Sequence, residues 1–111
     1  GLSNVETGIT PKGKEVIKKM MELGMLIDLS HANEKTFKDV FDLATKPIVV
    51  THGNAKALCN HKRNYTDEQL QMIKDKNGVI GVCVVPNFIK DKSKCFLFSK
   101  TYRLHCKTYR Y

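Results

Sequence analysis

Residues 25–52 read MLIDLSHANEKTFKDVFDLATKPIVVTH, and their pattern is the strongest indication of the fold. It holds two short apolar runs, 25–30 and 47–51, and each run is followed directly by a histidine, His31 or His52. Between the runs, apolar residues recur at the spacing of a helix. A strand, a helix and a second strand form a crossover in which both strands are parallel. The pattern therefore predicts that both imidazoles emerge at the same edge of one sheet.

The first ninety residues extend this alternation of helix and strand. Thr10 followed by Pro11 predicts a helix over about 11–23, and Asn33 is expected to cap the helix between the two strands. Thr66 and Gln69 match a capping box, which predicts a third helix. The apolar run 79–85 predicts a third strand that is buried on both faces. The expected apolar stripe of the first helix consists of Val16, Ile17, Met20, Met21 and Leu23.

The order of predicted elements is α, β, α, β, α, β. A (β/α)₈ barrel, or TIM barrel, uses roughly 250 residues for eight such units. This chain of 111 residues supplies about three of them. Because three parallel strands cannot close a barrel, we expect an α/β fold that is an incomplete TIM barrel.

The composition is typical of a globular protein and excludes several other classes. The chain is 41% hydrophobic and 27% charged, which does not suit a disordered chain. No apolar run approaches the roughly 18–20 residues that span a bilayer. The four cysteines form no C-x-x-C pair, so we expect no disulfide framework and a reducing, cytoplasmic location.

The net charge of +8 is unevenly distributed along the chain. Residues 1–91 hold 13 Lys/Arg against 11 Asp/Glu, whereas residues 92–111 hold six Lys/Arg and no acid. We therefore predict a partial barrel domain over 1–90 and a basic tail over 91–111. Tyrosines among the cations make a nucleic-acid-binding or anion-binding module the alternative function. Charge alone is a weak signal, and nucleic acid is not our expected partner.

The two histidines are the strongest candidates for a functional site. By strand alternation, Ile27 and Leu29 should share a face with His31, and His52 should likewise continue an apolar column into the barrel mouth. One histidine at a strand end more often makes a structural hydrogen bond. When two histidines follow consecutive parallel strands, a metal-binding or catalytic pair is about as plausible as a structural role. Two ligands still do not complete a catalytic zinc site, which usually has three protein ligands.

Several linked motifs carry a family resemblance. They resemble the membrane dipeptidase (renal dipeptidase) family of zinc peptidases over roughly residues 8–90, in the order and spacing of that family. The motifs are Gly8-Ile9-Thr10, Gly24-Met25-Leu26-Ile27-Asp28-Leu29-Ser30-His31, Thr51-His52-Gly53-Asn54-Ala55, Arg63-Asn64, Thr66-Asp67-Glu68-Gln69 and Gly78-Val79-Ile80-Gly81-Val82.

The resemblance implies a TIM barrel of the metal-dependent-hydrolase type that hydrolyses dipeptides. The family uses two zinc ions (Zn²⁺) that share a bridging carboxylate. His31 and His52 correspond to the two histidine ligands of one zinc ion. Arg63 corresponds to the arginine that contacts the bound substrate. A dipeptide is thus the expected substrate. The chain could also assemble into a homo-oligomer.

The chain also departs from the family pattern. It lacks the early His-x-Asp metal pair, the bridging glutamate, a further substrate-contacting histidine and a late aspartate. The first three would precede Gly1. We therefore expect an internal fragment with at most a partial zinc site, which is inactive as an isolated chain.

The tail is expected to be unrelated to the family, for example an out-of-frame extension. A gene remnant without function is the third hypothesis. The spacing of Cys95, His105 and Cys106 fits no standard zinc module.

Overall fold

The computed structural model describes residues 7–89, which form a mixed α/β unit with parallel strands. The predicted basic tail lies outside the described residues. The elements are helices α1 (Pro11–Glu22) and α2 (Glu34–Leu43), strand β1 (Val49–Gly53), helix α3 (Asp67–Asp75), strand β2 (Val79–Val82) and a 3₁₀ turn (Pro86–Phe88).

The three helices begin at the residues that the sequence predicts. The Thr10 hydroxyl accepts a hydrogen bond from the backbone N–H of Gly13, and the Asn33 side chain accepts one from Thr36. The capping box predicted for Thr66 and Gln69 is present at the start of α3. Each cap satisfies a backbone N–H that has no partner within the helix. These short-range interactions fix the helix starts locally.

The sheet runs across β1, which has a parallel neighbour on each side. On one side Val49 lies opposite Val79 of β2. On the other, the segment 27–29 runs parallel to β1, with Asp28 opposite Val49 and the Leu29 N–H donating to the Val49 carbonyl at 2.9 Å. The parallel crossovers predicted from the sequence are therefore present.

Two strand predictions need correction. The strand predicted over 25–30 is reduced to the single bridge at Asp28, because within residues 7–89 nothing pairs with its outer edge. The strand predicted over 79–85 ends at Val82. Burial on both faces is also wrong, since 64% of Val79 is exposed. Helices cover only one face of the sheet in the part of the chain that the structure describes.

The hydrophobic core lies between the sheet and the helices. Phe37 and Val40 of α2 and Leu70 and Ile73 of α3 are buried there. The whole cluster comprises Met21, Ile27, Leu29, Phe37, Val40, Ala44, Ile48, Val50, Ala55, Tyr65, Leu70 and Ile73. We call this helix-facing side of the sheet the covered side and the opposite side, which contains Leu26, Asp28, Thr51 and Val79, the open side.

Helix α1 buries less of its apolar stripe than predicted. Met21 is buried and Ile17 and Met20 are partly buried, but Val16 and Leu23 are exposed. The helix packs beside α2, so only the side that faces α2 and the core is covered. None of the helices within residues 7–89 is long and apolar enough to cross a membrane.

Candidate metal centre

The structure brings the two predicted histidines together at the carboxyl edge of the sheet. The Nε2 atoms of His31 and His52 lie 2.9 Å apart, and the ring centroids are 5.0 Å apart at an interplanar angle of 61°. His31 is exposed and His52 is half-buried. The two ring nitrogens therefore meet at a position that solvent can reach.

The imidazoles do not continue the apolar columns, which corrects the predicted route into the barrel mouth. Leu29 and Val50 face the covered side and are buried beneath the helices. The chain turns at His31, and the pairing of β1 with β2 shifts register between Val50 and Gly53. Both changes break the strict alternation of side chains, so the rings leave the core and meet at the edge.

A hydrogen-bonded cluster on the open side adjoins the histidine pair. The Asp28 carboxylate accepts hydrogen bonds from the backbone N–H and the hydroxyl of both Ser30 and Thr51. Thr51 Oγ1 lies 3.0 Å from Nδ1 of His52. Burial opposes ionisation of Asp28, but the hydrogen bonds from Ser30 and Thr51 outweigh it and lower the pKa of the carboxyl to about 2. The group is therefore an anion at neutral pH.

Sequence reasoning missed this cluster. The sequence does contain one indication of the cluster. Asp28 and Ser30 are the polar residues in an otherwise apolar run, and they stand two residues apart. Residues with this spacing face the same side of an extended chain. Thr51 joins them only through the pairing of two chain segments, which sequence spacing does not reveal.

Arg63, the predicted substrate-binding residue, is 8% exposed and lies in the loop between β1 and α3. Its guanidinium carbon lies 6.0 Å from the centre of the Phe88 ring. Within residues 7–89 the guanidinium has no carboxylate partner. Its positive charge is close enough to His31 to be the main cause of a lowered pKa of that imidazole. The neutral, metal-binding form of His31 is thereby favoured.

The loop that contains Arg63 is fixed by buried amides. Asn54 donates to the carbonyl of Cys83 at 2.7 Å and accepts from the N–H of that residue. Asn64 donates to the carbonyls of Cys59 and Phe88. The bonds to Cys83 and Phe88 tie the loop that contains Arg63 to the segment that follows β2.

Tyr65 braces the segment that leads into His31. Its hydroxyl donates to the Leu29 carbonyl at 2.9 Å, and burial raises the pKa of the phenol to about 12. The ring packs close to Gly53, where a Cβ atom would come within 2.5 Å of a ring carbon. Gly53 therefore allows Tyr65 to hold the two strand ends together.

The histidine pair has the chemistry of a partial zinc site. Imidazole nitrogen is a preferred zinc ligand, and two tetrahedral ligand nitrogens lie roughly 3.4 Å apart. The separation of 2.9 Å requires only a small outward rotation of the rings. Within the described residues no group of three or more His, Cys, Asp or Glu side chains could hold a metal ion. The two imidazoles fit half of a zinc site and leave the other ligands to be supplied.

Known proteins resemble this chain in sequence. The sequence profile described as membrane dipeptidase (peptidase family M19) matches residues 2–106. A dipeptidase from Claviceps purpurea, tcpJ, is 34% identical over 82 residues, and an uncharacterized protein in the pqqA 5' region of Klebsiella pneumoniae is 49% identical over 82 residues. Each alignment covers 74% of this chain, but only 19% and 30% of those relatives.

Solved structures also resemble the chain. A metallopeptidase from Rhodobacter sphaeroides, solved with a phosphinate mimic of the dipeptide L-Ala-D-Ala, has a TM-score of 0.68 and 40% identity. The probable dipeptidase PvdM from Pseudomonas aeruginosa has a TM-score of 0.66 and 40% identity. These matches cover 71% and 68% of this chain, but 22% and 19% of the solved chains.

The extent of the matches bears on the predicted organisation. The profile match reaches residue 106 and so enters the predicted tail, whereas the pairwise alignments leave more than a quarter of the chain unmatched. The boundary at residue 90 stays a prediction. The chain spans less than a third of the length of these relatives, which makes it a fragment relative to them. It belongs to the membrane dipeptidase family, peptidase family M19.

Proposed function

We propose that this chain forms part of a zinc dipeptidase, in which His31 and His52 bind one zinc ion and Arg63 binds the substrate. The observation that carries the proposal is the approach of the two Nε2 atoms to 2.9 Å at the carboxyl edge of parallel strands. Active sites of (β/α)₈ barrels lie at that edge.

Arg63 supports a substrate that carries a carboxylate. A guanidinium forms two parallel hydrogen bonds with a carboxylate, and Arg63 has no such partner within residues 7–89. The metallopeptidase from Rhodobacter sphaeroides was solved with a dipeptide mimic. We therefore propose a dipeptide as the substrate of the complete enzyme, with its carboxylate bound by Arg63.

The proposed reaction is hydrolysis of an amide bond by metal-activated water. Bound zinc would lower the pKa of a water molecule and polarise the substrate carbonyl. The two imidazoles supply neutral nitrogen ligands, and Arg63 orients the substrate beside them. Two ligands are fewer than the three that catalytic zinc usually has. The isolated chain is therefore expected to bind zinc weakly and not to turn over dipeptides.

A larger barrel would complete this fold. Leu26, Val79 and Val84 are 64–69% exposed, and Leu26 and Val79 lie on the open side of the sheet. Apolar side chains on one face of a parallel sheet are normally buried. We propose that the sheet is part of a (β/α)₈ barrel whose interior contains the open side.

Zinc titration of the 111-residue chain by calorimetry tests the ligand assignment. His31→Ala and His52→Ala should each weaken zinc binding by at least tenfold, because each removes one of two ligands. His61→Ala is the matched control, since His61 packs on Phe88 and not on the histidine pair. Unchanged zinc affinity in both ligand variants would contradict the assignment.

An activity assay tests the completeness of the site. The zinc-loaded chain should leave L-Ala-D-Ala intact over hours, because no third ligand joins the two imidazoles within residues 7–89. Hydrolysis at the rate of a complete dipeptidase would refute the proposed ligand count.

The alternative of a nucleic-acid-binding module depends on residues 92–111. Nothing in the described residues favours it, and those residues lie outside the described range.

A further inference from the structure

The His52 ring is connected to Asp28 through one hydroxyl group. Thr51 Oγ1 lies 2.7 Å from Oδ2 of Asp28 and 3.0 Å from Nδ1 of His52. The connection raises a question of hydrogen-bond direction, because a hydroxyl has a single proton to donate.

The direction follows from the donors and acceptors. An ionised carboxylate can only accept, so the Thr51 proton is committed to Asp28. The Ser30 hydroxyl also donates to Asp28. Ser30 Oγ lies 3.0 Å from Thr51 Oγ1, but turning the Ser30 proton toward Thr51 would leave the Thr51 proton where it is. In either arrangement Thr51 Oγ1 can only accept from His52.

His52 must therefore carry its proton on Nδ1. In a neutral imidazole the other nitrogen then has the lone pair, and this nitrogen is Nε2. Nε2 of His52 is the atom that faces His31. The ring is thus held in the tautomer that a metal ligand needs before any metal arrives.

His31 is in the opposite state. Its Nε2 lies 2.9 Å from Nε2 of His52, which has the lone pair, so His31 must donate and its proton is on Nε2. Its Nδ1 makes no hydrogen bond with any residue in the range 7–89. Within residues 7–89 only the hydrogen bond to His52 favours one tautomer of His31. A change of tautomer therefore breaks that one hydrogen bond and no other in this range.

We propose that Asp28, acting through the Thr51 hydroxyl, is a positioning residue that presets His52 as a metal ligand, whereas His31 exchanges its tautomer when metal binds. This inference rests on the proposed zinc-binding function. In the exchange, His31 gives the Nε2 proton to water and takes one from water at Nδ1, so the charge of the ring is unchanged. Partners beyond the ligands commonly orient metal-binding histidines. Here a hydroxyl stands between the carboxylate and the ring.

Long-range ¹H–¹⁵N NMR of the histidine rings tests the proposal on the 111-residue chain. At about pH 8 an imidazole of ordinary pKa is neutral, and each ring then reports its tautomer. Without metal, His52 should be protonated on Nδ1 and His31 on Nε2. With zinc chloride, His31 should change to Nδ1 protonation while His52 keeps its tautomer.

Variants of Thr51 separate control of the His52 tautomer from general effects on the fold. Thr51→Val should release His52 into a mixture of tautomers and weaken zinc binding by about 10–100-fold, the usual effect of losing such a partner. Thr51→Ser keeps the hydroxyl and should restore the Nδ1 tautomer. Thr45→Val is the matched control, because within residues 7–89 the Thr45 hydroxyl hydrogen-bonds only to the Met21 sulfur.

Protonation of His52 on Nε2 in the metal-free chain would overturn the proposal. This measurement uses the unmodified chain and needs no variant. An unchanged His52 tautomer in folded Thr51→Val would also overturn it. Zinc that leaves both ring spectra unchanged would refute the proposed function and the exchange at His31. Protonation of His52 on Nδ1 in that same sample would still support the role of Asp28 and Thr51 in setting the His52 tautomer.

Discussion

The two sides of the sheet are formed by similar apolar strands but differ in burial. On the covered side Ile48 and Val50 are at most 1% exposed and pack beneath α2 and α3. On the open side Val79 is 64% exposed, although it directly adjoins a strand of the same composition. The open side also contains the polar cluster of Asp28 and Thr51, next to the histidine pair.

Stability and candidate chemistry are therefore separated between the two sides of the sheet. The covered side buries apolar area, and this burial stabilises the fold. The open side contributes little to this stability, because its apolar residues remain in water. It carries instead the groups that position the candidate ligands. Substitutions on the two sides should therefore separate folding from function.

Valine truncation gives the largest expected contrast. Val50→Ala on the covered side should lower the free energy of unfolding by about 2–3 kcal/mol, because it removes buried methyl groups and leaves a cavity. Val79→Ala is the matched substitution on the open side and should change it by less than about 0.5 kcal/mol. Urea denaturation of the 111-residue chain measures both.

Equal losses in the two variants would remove the contrast between the sides. Non-cooperative unfolding of the unmodified chain would instead support the hypothesis of a gene remnant.

Acid should selectively weaken the cluster on the open side. The pKa of Asp28 is lowered from 3.8 to about 2, so its contribution is complete above about pH 4 and is lost as the pH falls toward 2. Because the side chain is exposed, solvent screening reduces this contribution to roughly 1 kcal/mol. Asp28→Asn should be less stable than the unmodified chain at pH 7, and the two melting temperatures should converge near pH 2.

Asp42→Asn is a suitable control for that comparison, since Asp42 is an exposed residue of α2. A difference between Asp28→Asn and the unmodified chain that stays constant from pH 7 to pH 2 would contradict the proposed role of the carboxylate charge.

The smallest expected effect concerns the charge of Arg63. Arg63→Met should raise the pKa of His31 in the metal-free chain, because Arg63 is the main cause of its lowered value. Lys62→Met removes an adjacent but exposed cation and should shift the pKa less. NMR titration of the His31 ring measures both. A larger shift in the Lys62 variant would show that Arg63 does not face the histidine pair.

The elements set by local interactions could be predicted from the sequence. Thr10, Asn33 and Thr66 cap helices through bonds to residues three positions away, so short sequence windows contain the whole interaction. The meeting of His31 and His52 was also predictable, since parallel strands end at a common edge. The family resemblance predicts a substrate-binding role for Arg63, which composition alone would assign to a solvated loop, and this role stays a prediction.

Features that depend on distant or missing partners were not predictable. The run 79–85 has the composition of a strand buried on both faces, but within residues 7–89 no element covers the open side of the sheet. The cluster of Asp28 and Thr51 depends on side chains 23 positions apart. Hydrogen-bond direction at His52 then depends on that cluster, so no sequence window contains it.

X-ray absorption spectroscopy of the zinc-loaded 111-residue chain tests whether His31 and His52 bind one zinc ion together. Its fine structure counts the imidazole, oxygen and sulfur ligands around the metal. We predict two imidazole nitrogens at about 2.0–2.1 Å, with the remaining positions occupied by oxygen. Sulfur at about 2.3 Å, or the loss of only one imidazole when His31 and His52 are both replaced, would contradict the account.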